Sequence, residues 1–258
     1  MRRKRRTIEI ILTLAGPVTL LLIWESLSRT ETINPIFWPP PSSLWETTVT
    51  LFTERDLLGD ITISLYRILG GFVIGTVPGI ALGLAMGLFW PARIFFMPLA
   101  SAIYAVPKIA ILPLVIIMFG IGELSKIMIV AISIFFLVAL NTMSGVLGID
   151  QQFRDVARNL GASRWELFWT VALPGSLPAI FTGMRLSLGF ALIVIVGTEF
   201  LAADKGIGFM IWQSYQTLRI PQMFVGLVIT GLMGWGLSLL LDLVEHVVLP
   251  WRAVEESA

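Results

Sequence analysis

Long apolar stretches alternate with short polar intervals along this chain of 258 residues. Six stretches are close to the roughly 20 residues that a helix needs to cross a lipid bilayer. They lie at about 8–28, 61–88, 95–119, 124–148, 177–201 and 223–248. The pattern therefore predicts an all-α, polytopic membrane protein, built as a helical bundle of about six transmembrane helices.

The composition agrees with a membrane protein and excludes several other classes. Hydrophobic residues make up 56% of the chain and charged residues only 14%, which is more apolar surface than one soluble core needs. The net charge of +1 argues against a nucleic-acid partner, since the basic residues are pooled only at the extreme N-terminus. Because the chain has no cysteine, it has no disulfide, no thiol nucleophile and no cysteine metal site.

The N-terminal sequence MRRKRR precedes an apolar run, Ile8 to Trp24, that resembles a secretory signal. No small-residue cleavage site follows it before Glu25, and its length suits a span, so we predict a retained first helix. Lys and Arg are enriched in the short segments on the N-terminal side of the membrane, which predicts that both termini are cytoplasmic. We divide the chain into residues 1–60, a core at 61–250 and a cytoplasmic tail at 251–258.

The segment PPPSSLWETTVTLF, between the first two spans, predicts a short amphipathic helix on the outer face. Ser43 and Glu46 have the spacing of a capping box at its start. The sequence leaves open whether this helix lies at the membrane interface or packs on the bundle.

The second span carries glycines at a strict interval of four residues. They are Gly71, Gly75, Gly79, Gly83 and Gly87. Small residues at this spacing form a ridge along which another helix can approach closely. The ridge predicts tight helix packing, either within the subunit or at a dimer seam.

Four polar residues at membrane depth are candidates for a substrate pathway: Lys108, Asn141, Arg185 and Glu199. Lys108 lies between Pro107 and Pro113, which should break the third span. A cationic side chain at that depth costs about 3 kcal/mol on insertion scales. It either lines an anion pathway, reaches the headgroups, or binds a carbonyl freed by Pro107.

The other three candidates have simpler interpretations as well. Asn141 is typical of a polar group that joins two helices, and Arg185 is close enough to the inner end of its span to reach the headgroups. Glu199 lies near the outer end of the fifth span. The single histidine, His246, cannot form a metal site by itself and fits an interfacial position.

A polar interval at about 150–174 predicts a helix, a tight turn and a second helix outside the bilayer. Asp150 is placed to cap the first helix, and Gly161 to end it. Ser163 and Glu166 have the spacing of a capping box for the second helix. Pro174 then predicts the start of the next helix, since proline is tolerated at that position.

This interval resembles the EAA loop of bacterial ABC importer permeases, whose pattern is E-A-A, three residues, Gly, nine residues and Ile-x-Leu-Pro. The matching positions are Asp155, Val156, Ala157, Gly161, Val171, Leu173 and Pro174. The spacing is intact, with aspartate in place of the leading glutamate and valine in place of the first alanine. The segment SLYRILGGFVIGTVPGIALGLAMG of the second span is similar to permeases for nitrate, taurine and aliphatic sulfonates.

The resemblance implies the type I ABC importer permease fold and a transport subunit without enzymatic activity of its own. The implied assembly has two permease subunits, in a homodimer or a pair of close relatives, two cytoplasmic ATPase subunits and an extracytoplasmic binding protein, in a bacterial cytoplasmic membrane. The ATPase would bind ATP and Mg, since this chain has no P-loop and no expected cofactor or metal of its own. The implied coupling residues are Asp155, Val156, Ala157, Gly161, Ala162, Leu173 and Pro174.

The implied substrate is a small anion such as nitrate, taurine or an alkanesulfonate. Two alternatives remain within transport, namely a permease of the same family for an uncharged vitamin precursor and a secondary carrier driven by an ion gradient. A secondary carrier usually has more spans or an internal repeat, and the sequence shows neither. A membrane scaffold without transport activity is the third alternative.

Overall fold

The computed structural model describes the backbone of residues 2–251 and the side chains of residues 15–251, and within these residues it is helical with no strand. The α-helices are α1 (Arg2–Arg29), α2 (Pro41–Glu54), α3 (Leu57–Leu88), α4 (Trp90–Ala105), α5 (Leu112–Phe119), α6 (Glu123–Leu147), α7 (Gln151–Asn159), α8 (Arg164–Leu167), α9 (Leu173–Ala202), α10 (Ile207–Gln216) and α11 (Ile220–Val248). A 3-10 helix at Lys108–Ile111 joins α4 to α5, and a π-helix at Phe168–Ala172 joins α8 to α9.

Four continuous helical segments are long and apolar enough to cross a membrane: Leu57–Leu88, Glu123–Leu147, Arg164–Ala202 and Ile220–Val248. They confirm four of the predicted spans. The predicted span at 95–119 corresponds to α4 and the segment Lys108–Phe119, which meet at an angle of 91°. The predicted first span at 8–28 lies within the helix α1, but the side chains of its first residues fall outside the described ones.

The bundle is built around α6, which packs along α3 on one side and α9 on another. All five glycines of the ridge on α3 are buried and face α6. A Cβ atom built on Gly75 would lie 2.5 Å from the carbonyl oxygen of Ala131, and one on Gly83 would lie 2.5 Å from that of Ala139. The close approach along this ridge is therefore a contact within one chain.

We expect Gly83→Ala to destabilise the protein by about 1–3 kcal/mol, the usual cost of adding atoms to a packed contact. The added methyl group would press on backbone of α6, which cannot move aside as a flexible side chain can. The matched control is Gly236→Ala in α11, where nothing lies within 4 Å of a built Cβ atom. Thermal unfolding of the two variants in detergent, followed by size-exclusion chromatography, measures the difference. Equal midpoints would contradict the assigned contact.

Helix α2 was predicted correctly, but its predicted capping box was wrong. The helix begins at Pro41, with Pro40 as its N-cap and no side-chain cap. Ser43 therefore lies inside the first turn, where its hydroxyl donates to the Pro40 carbonyl oxygen at 2.8 Å. Leu44 and Leu51 are buried and α2 contacts α11, so this helix packs on the bundle.

Pro174 lies in the first turn of α9, as predicted, but α9 is not separated from α8. The π-helix carries α8 directly into α9, and the N–H of Leu173 donates to the carbonyl of Phe168, five residues back. The π-helix accommodates Pro174 close after it, because the backbone hydrogen bonds there have already changed from the regular α-helical pattern. Residues Arg164–Ala202 consequently form one helical rod of 39 residues.

Candidate functional site

The polar interval folds as predicted into two short helices, α7 and α8, joined at Gly161. Asp150 caps α7, with its carboxylate accepting from the N–H of Gln152 at 2.9 Å. Ser163 and Glu166 form the predicted capping box, with hydrogen bonds of 2.7 and 3.2 Å. Both caps use bonds between residues at most three positions apart, which is why the sequence alone predicted them.

The turn between the two helices depends on Gly161, whose φ of +84° is in the left-handed region that favours glycine. The N–H of Gly161 donates to the carbonyl of Arg158 at 2.9 Å, and that of Ala162 to the carbonyl of Ala157 at 3.0 Å. These two bonds are the Schellman motif of a helix C-terminus. The backbone of three predicted coupling positions is thus joined in one turn.

The loop presents an apolar surface that nothing in the described part of the chain covers. We define the loop surface as the exposed side chains of Phe153, Val156, Leu160, Trp165 and Trp169. Val156 is 58% exposed and Leu160 83% exposed, and α7 has no buried residue. An exposed apolar surface rimmed by charged side chains is typical of a protein docking site.

The acidic residue of the motif also belongs to this exposed helix. Asp155 is exposed, and one oxygen of its carboxylate accepts from the side-chain amide of Gln151 at 3.1 Å. A carboxylate has acceptor capacity beyond this one bond. Asp155 can therefore accept a donor from a docked protein without losing its own helix contact.

Both ends of the loop are fixed to the bundle. At one end, Arg154 donates to the carbonyl of Val146 in the last turn of α6, at 2.5 Å. At the other end, α8 continues through the π-helix into α9, where Leu173 and Pro174 are located. The loop is therefore connected at one end to α6 and at the other to α9, and these two helices pack against each other.

Lys108 lies at the bend between α4 and α5, where it is buried. Its ammonium donates to the carbonyls of Ile103, Tyr104 and Val106 at 2.7, 3.0 and 2.7 Å. The Ile103 carbonyl is the one that Pro107, which has no N–H, leaves without its usual helix donor. All three ammonium protons are thus used to cap α4, which fits the interpretation that Lys108 binds a freed carbonyl.

Glu199 is fully buried in a polar cluster that holds the ends of several helices together. Its carboxylate accepts from Arg67 at 2.7 Å, from Ser64 at 2.8 Å and from the N–H of Gly208 at 2.8 Å. Arg67, only 1% exposed, also binds Glu123 through two nitrogens at 2.6 and 2.8 Å. The cluster joins α3, α6, α9 and α10.

Sequence reasoning missed this cluster. Of its members only Glu199 was a candidate from the sequence, whereas Arg67 in α3 and Lys126 in α6 are buried as well. The sequence did contain a signal for this cluster. Arg67 is basic, Glu123 and Glu199 are acidic, and all three lie at the same ends of their spans. The sequence separation of 132 residues between Arg67 and Glu199 hid the pairing.

Asn141 and Arg185 have different surroundings. The amide of Asn141 donates to the Leu137 carbonyl one turn back at 2.8 Å, and its side chain packs on Gly183 of α9. Arg185 of α9 forms salt bridges with Asp242 and Glu245 of α11. None of the four candidate pathway residues shares a hydrogen-bond partner with another in the described structure. These side chains therefore do not form one polar site.

The described residues contain no group of three or more His, Cys, Asp or Glu side chains arranged for a metal ion. What they combine is a bundle of membrane-spanning helices and a rigid, uncovered loop that is anchored to two of them. This arrangement defines a class of polytopic membrane protein with an uncovered apolar loop outside its helical bundle.

The comparisons identify the family. Residues 79–253 match the model of the family described as binding-protein-dependent transport system inner membrane component. This chain belongs to that family, and it is an ABC transporter permease, a transport subunit of the membrane.

Several curated relatives match along nearly the whole chain. The taurine transport system permease protein TauC of Escherichia coli (strain K12) is 34% identical over 95% of this chain and 90% of its own length. A putative aliphatic sulfonates transport permease protein, SsuC of Bacillus subtilis (strain 168), is 31% identical over 92% of this chain and 86% of its own length. A nitrate import permease protein, NrtB of Synechocystis, is 29% identical over 94% and 90%.

A solved structure confirms the predicted permease fold. The chain resembles a chain of the MetNI methionine ABC transporter with a TM-score of 0.66 at 17% identity, covering 74% of this chain and 95% of that one. At this identity the match concerns the fold alone.

Proposed function

We propose that this chain forms, with a second permease subunit, the transmembrane pathway of an ATP-driven importer that receives its substrate from an extracytoplasmic binding protein. Two cytoplasmic ATPase subunits bind ATP and Mg, and each docks on the loop of one permease subunit. The observation that carries this proposal is the exposed apolar loop surface on a rigid pair of helices. Since one chain has one such loop, two ATPases require two permease chains, and a homodimer is the simplest assembly.

The contacts of the loop suggest how ATP binding acts on the pathway. When the two ATPases approach each other, a loop bound to them moves with them. The bond of Arg154 to the last turn of α6 and the unbroken helix from α8 into α9 pass that movement to α6 and α9. The coupling positions Asp155, Val156, Ala157, Gly161, Ala162, Leu173 and Pro174 thus act in the docking or in its transmission.

The proposed substrate is a small oxyanion of the nitrate or sulfonate type. Relatives at about one-third identity carry the names of taurine, aliphatic sulfonate and nitrate permeases. Among the described residues, Lys108 forms no salt bridge with a carboxylate, and its charge is balanced by carbonyl dipoles and by the Tyr104 ring, whose centroid is 5.8 Å away. A cation of this kind favours an anion in a pathway through the electrostatic field, even where its protons are already donated.

We place the protein in a bacterial cytoplasmic membrane with both termini and the loop on the cytoplasmic side. The basic N-terminal segment supports this orientation. If α1, α3, the bent pair and α6 each cross once, the loop after α6 returns to the side of the N-terminus. In this topology residues 61–250 form the permease core and residues 251–258 a cytoplasmic tail.

Copurification and reconstitution test the proposal. The tagged permease, extracted in mild detergent with the ATPase encoded for the same importer, should bring that ATPase down, and proteoliposomes should take up substrate only with ATP inside and binding protein outside. A variant with Val156→Asp and Leu160→Asp, which charges the loop surface, should lose the ATPase yet keep its level in the membrane. Uptake driven by an ion gradient in the absence of ATP would instead establish a secondary carrier.

A further inference from the structure

Helix α2 has an exposed apolar face in addition to the face that packs on the bundle. Leu44 and Leu51 are buried, and on that side α2 contacts α11. Trp45, Val49 and Phe52 follow one another at intervals of four and three residues, so they lie along a second face of the helix. We call these three residues the apolar face of α2. All three are exposed, and Trp45 is 72% exposed.

The remaining face of α2 is polar. Its exposed residues are Glu46, Thr50, Thr53 and Glu54. With 3.6 residues per turn, the buried, apolar and polar faces each take about a third of the helix circumference. A helix between a bundle and water needs only a buried face and a polar face. The apolar face of α2 therefore requires a third kind of surroundings.

The start of α2 lies at the boundary between hydrocarbon and water. Glu25, near the end of α1, accepts from the backbone N–H and the hydroxyl of Ser42 at 3.0 and 2.8 Å. Just before α2, the Trp38 ring packs on Phe224 of α11, and the Trp24 ring of α1 packs on the same phenyl group. The ring centroids are 5.8 and 5.5 Å from that of Phe224. Tryptophan is enriched at both surfaces of a membrane, where its ring lies at the level of the headgroups.

The far end of α2 is held at the same membrane surface. Only Arg55 and Asp56 separate it from α3, which is long and apolar enough to cross the membrane. Arg55 also donates to the side chain of Gln213 in α10 at 3.0 Å. At 1.5 Å per residue α2 is about 21 Å long, and since both of its ends are held next to the ends of spans, it lies along the surface. Because α3 packs parallel to α6 along the glycine ridge, this surface is opposite the loop.

We infer that the apolar face of α2 is inserted into the lipid leaflet opposite the loop and anchors this helix at the membrane surface. A helix that lies along the surface at the edge of a bundle has protein on one side, hydrocarbon beneath it and water above it. The three faces of α2 match these three surroundings. The flanking residues Ile36, Phe37 and Leu58 are exposed and apolar as well. Lipid contact of α2 requires neither the ATPase nor the proposed substrate, so it goes beyond the proposed function.

The absence of cysteine from the chain makes a direct test possible. Single cysteines at Trp45→Cys, Val49→Cys and Phe52→Cys are labelled with an environment-sensitive fluorophore, and the protein is reconstituted into phosphatidylcholine vesicles. The matched controls are Glu46→Cys and Thr50→Cys, exposed positions on the polar face of the same helix. Bromine on the lipid acyl chains should quench the labels of the apolar face, and iodide on both sides of the vesicle should not. The control labels should show the reverse.

The ratio of bromine quenching to iodide quenching decides the outcome. An equal ratio on the two faces, or stronger quenching by iodide on the apolar face, would place that face in water. Quenching by neither agent would show that protein covers it, and each of these results contradicts insertion. If the replaced aromatic residues lower the amount of folded protein, the smaller change Val49→Cys supplies the measurement.

These outcomes are distinct from a failure of the proposed function. If the apolar face is quenched by iodide while the ATPase copurifies and uptake needs ATP, the lipid anchor is wrong and the importer stands. If bromine quenches the apolar face and the ATPase does not bind, the anchor stands and the importer is wrong.

Discussion

Substitution of Gly161 by valine is expected to reduce substrate uptake at least about tenfold without lowering the amount of protein in the membrane. The φ of +84° costs a residue other than glycine about 1–2 kcal/mol, and a β-branched residue more, which is a factor of ten or greater in population. Nothing lies within 4 Å of a Cβ atom built there, so the effect comes from the backbone of the turn and not from a clash. Uptake into proteoliposomes measures transport, and the amount of ATPase that copurifies measures docking at the loop.

The matched control is Gly161→Asn, because asparagine tolerates the left-handed region much better than valine does. It should retain most of the uptake and of the bound ATPase. A second control, Gly120→Val, places backbone strain at a φ of +82° and a ψ of 170°, a region essentially restricted to glycine, in the connection between α5 and α6, away from the loop. The expectation is wrong if Gly161→Val transports normally, or if it fails to insert into the membrane.

Removal of the Arg67 side chain is expected to give the largest loss of stability of any single change in the described core. Arg67→Met leaves the carboxylate of Glu199 buried without its ion-pair partner, a situation that costs about 3–5 kcal/mol. We expect a strongly lowered thermal midpoint in detergent and a reduced amount of protein in the membrane. The double variant Arg67→Met with Glu199→Gln should recover much of the loss, because it leaves no unpaired buried charge at that pair.

The exposed pair of Arg29 and Glu25 provides the comparison. Arg29→Met removes an arginine from a salt bridge one helical turn apart, and exposed pairs of this kind are worth at most about 1 kcal/mol. Its thermal midpoint should stay close to that of the unchanged protein. If Arg67→Met and Arg29→Met unfold alike, the buried cluster does not hold α3, α6 and α9 together as its geometry indicates.

Local features of this protein followed from the sequence because their physical causes are local. The apolar periods predicted the spans, and the caps at Asp150 and Ser163 and the turn at Gly161 use partners within a few residues. The loop could be predicted without the bundle, since its helices are exposed and their caps are formed by residues of the loop itself. Even the partner of Lys108 was among the sequence hypotheses, because the freed carbonyl is five residues away.

Tertiary structure decided which distant charges meet and how the helices continue. The contacts of Glu199 with Arg67 and of Arg185 with Asp242 join positions 132 and 57 residues apart, and no periodicity in the chain relates them. The π-helix that carries α8 into α9 past Pro174 depends on a shift of backbone hydrogen bonds that the residue types do not specify. Local hydrogen bonds and the length of apolar runs depend on neighbouring residues, so the sequence determines them directly. Ion pairing in a membrane bundle depends on which helices pack together, and only the tertiary structure decides which helices do so.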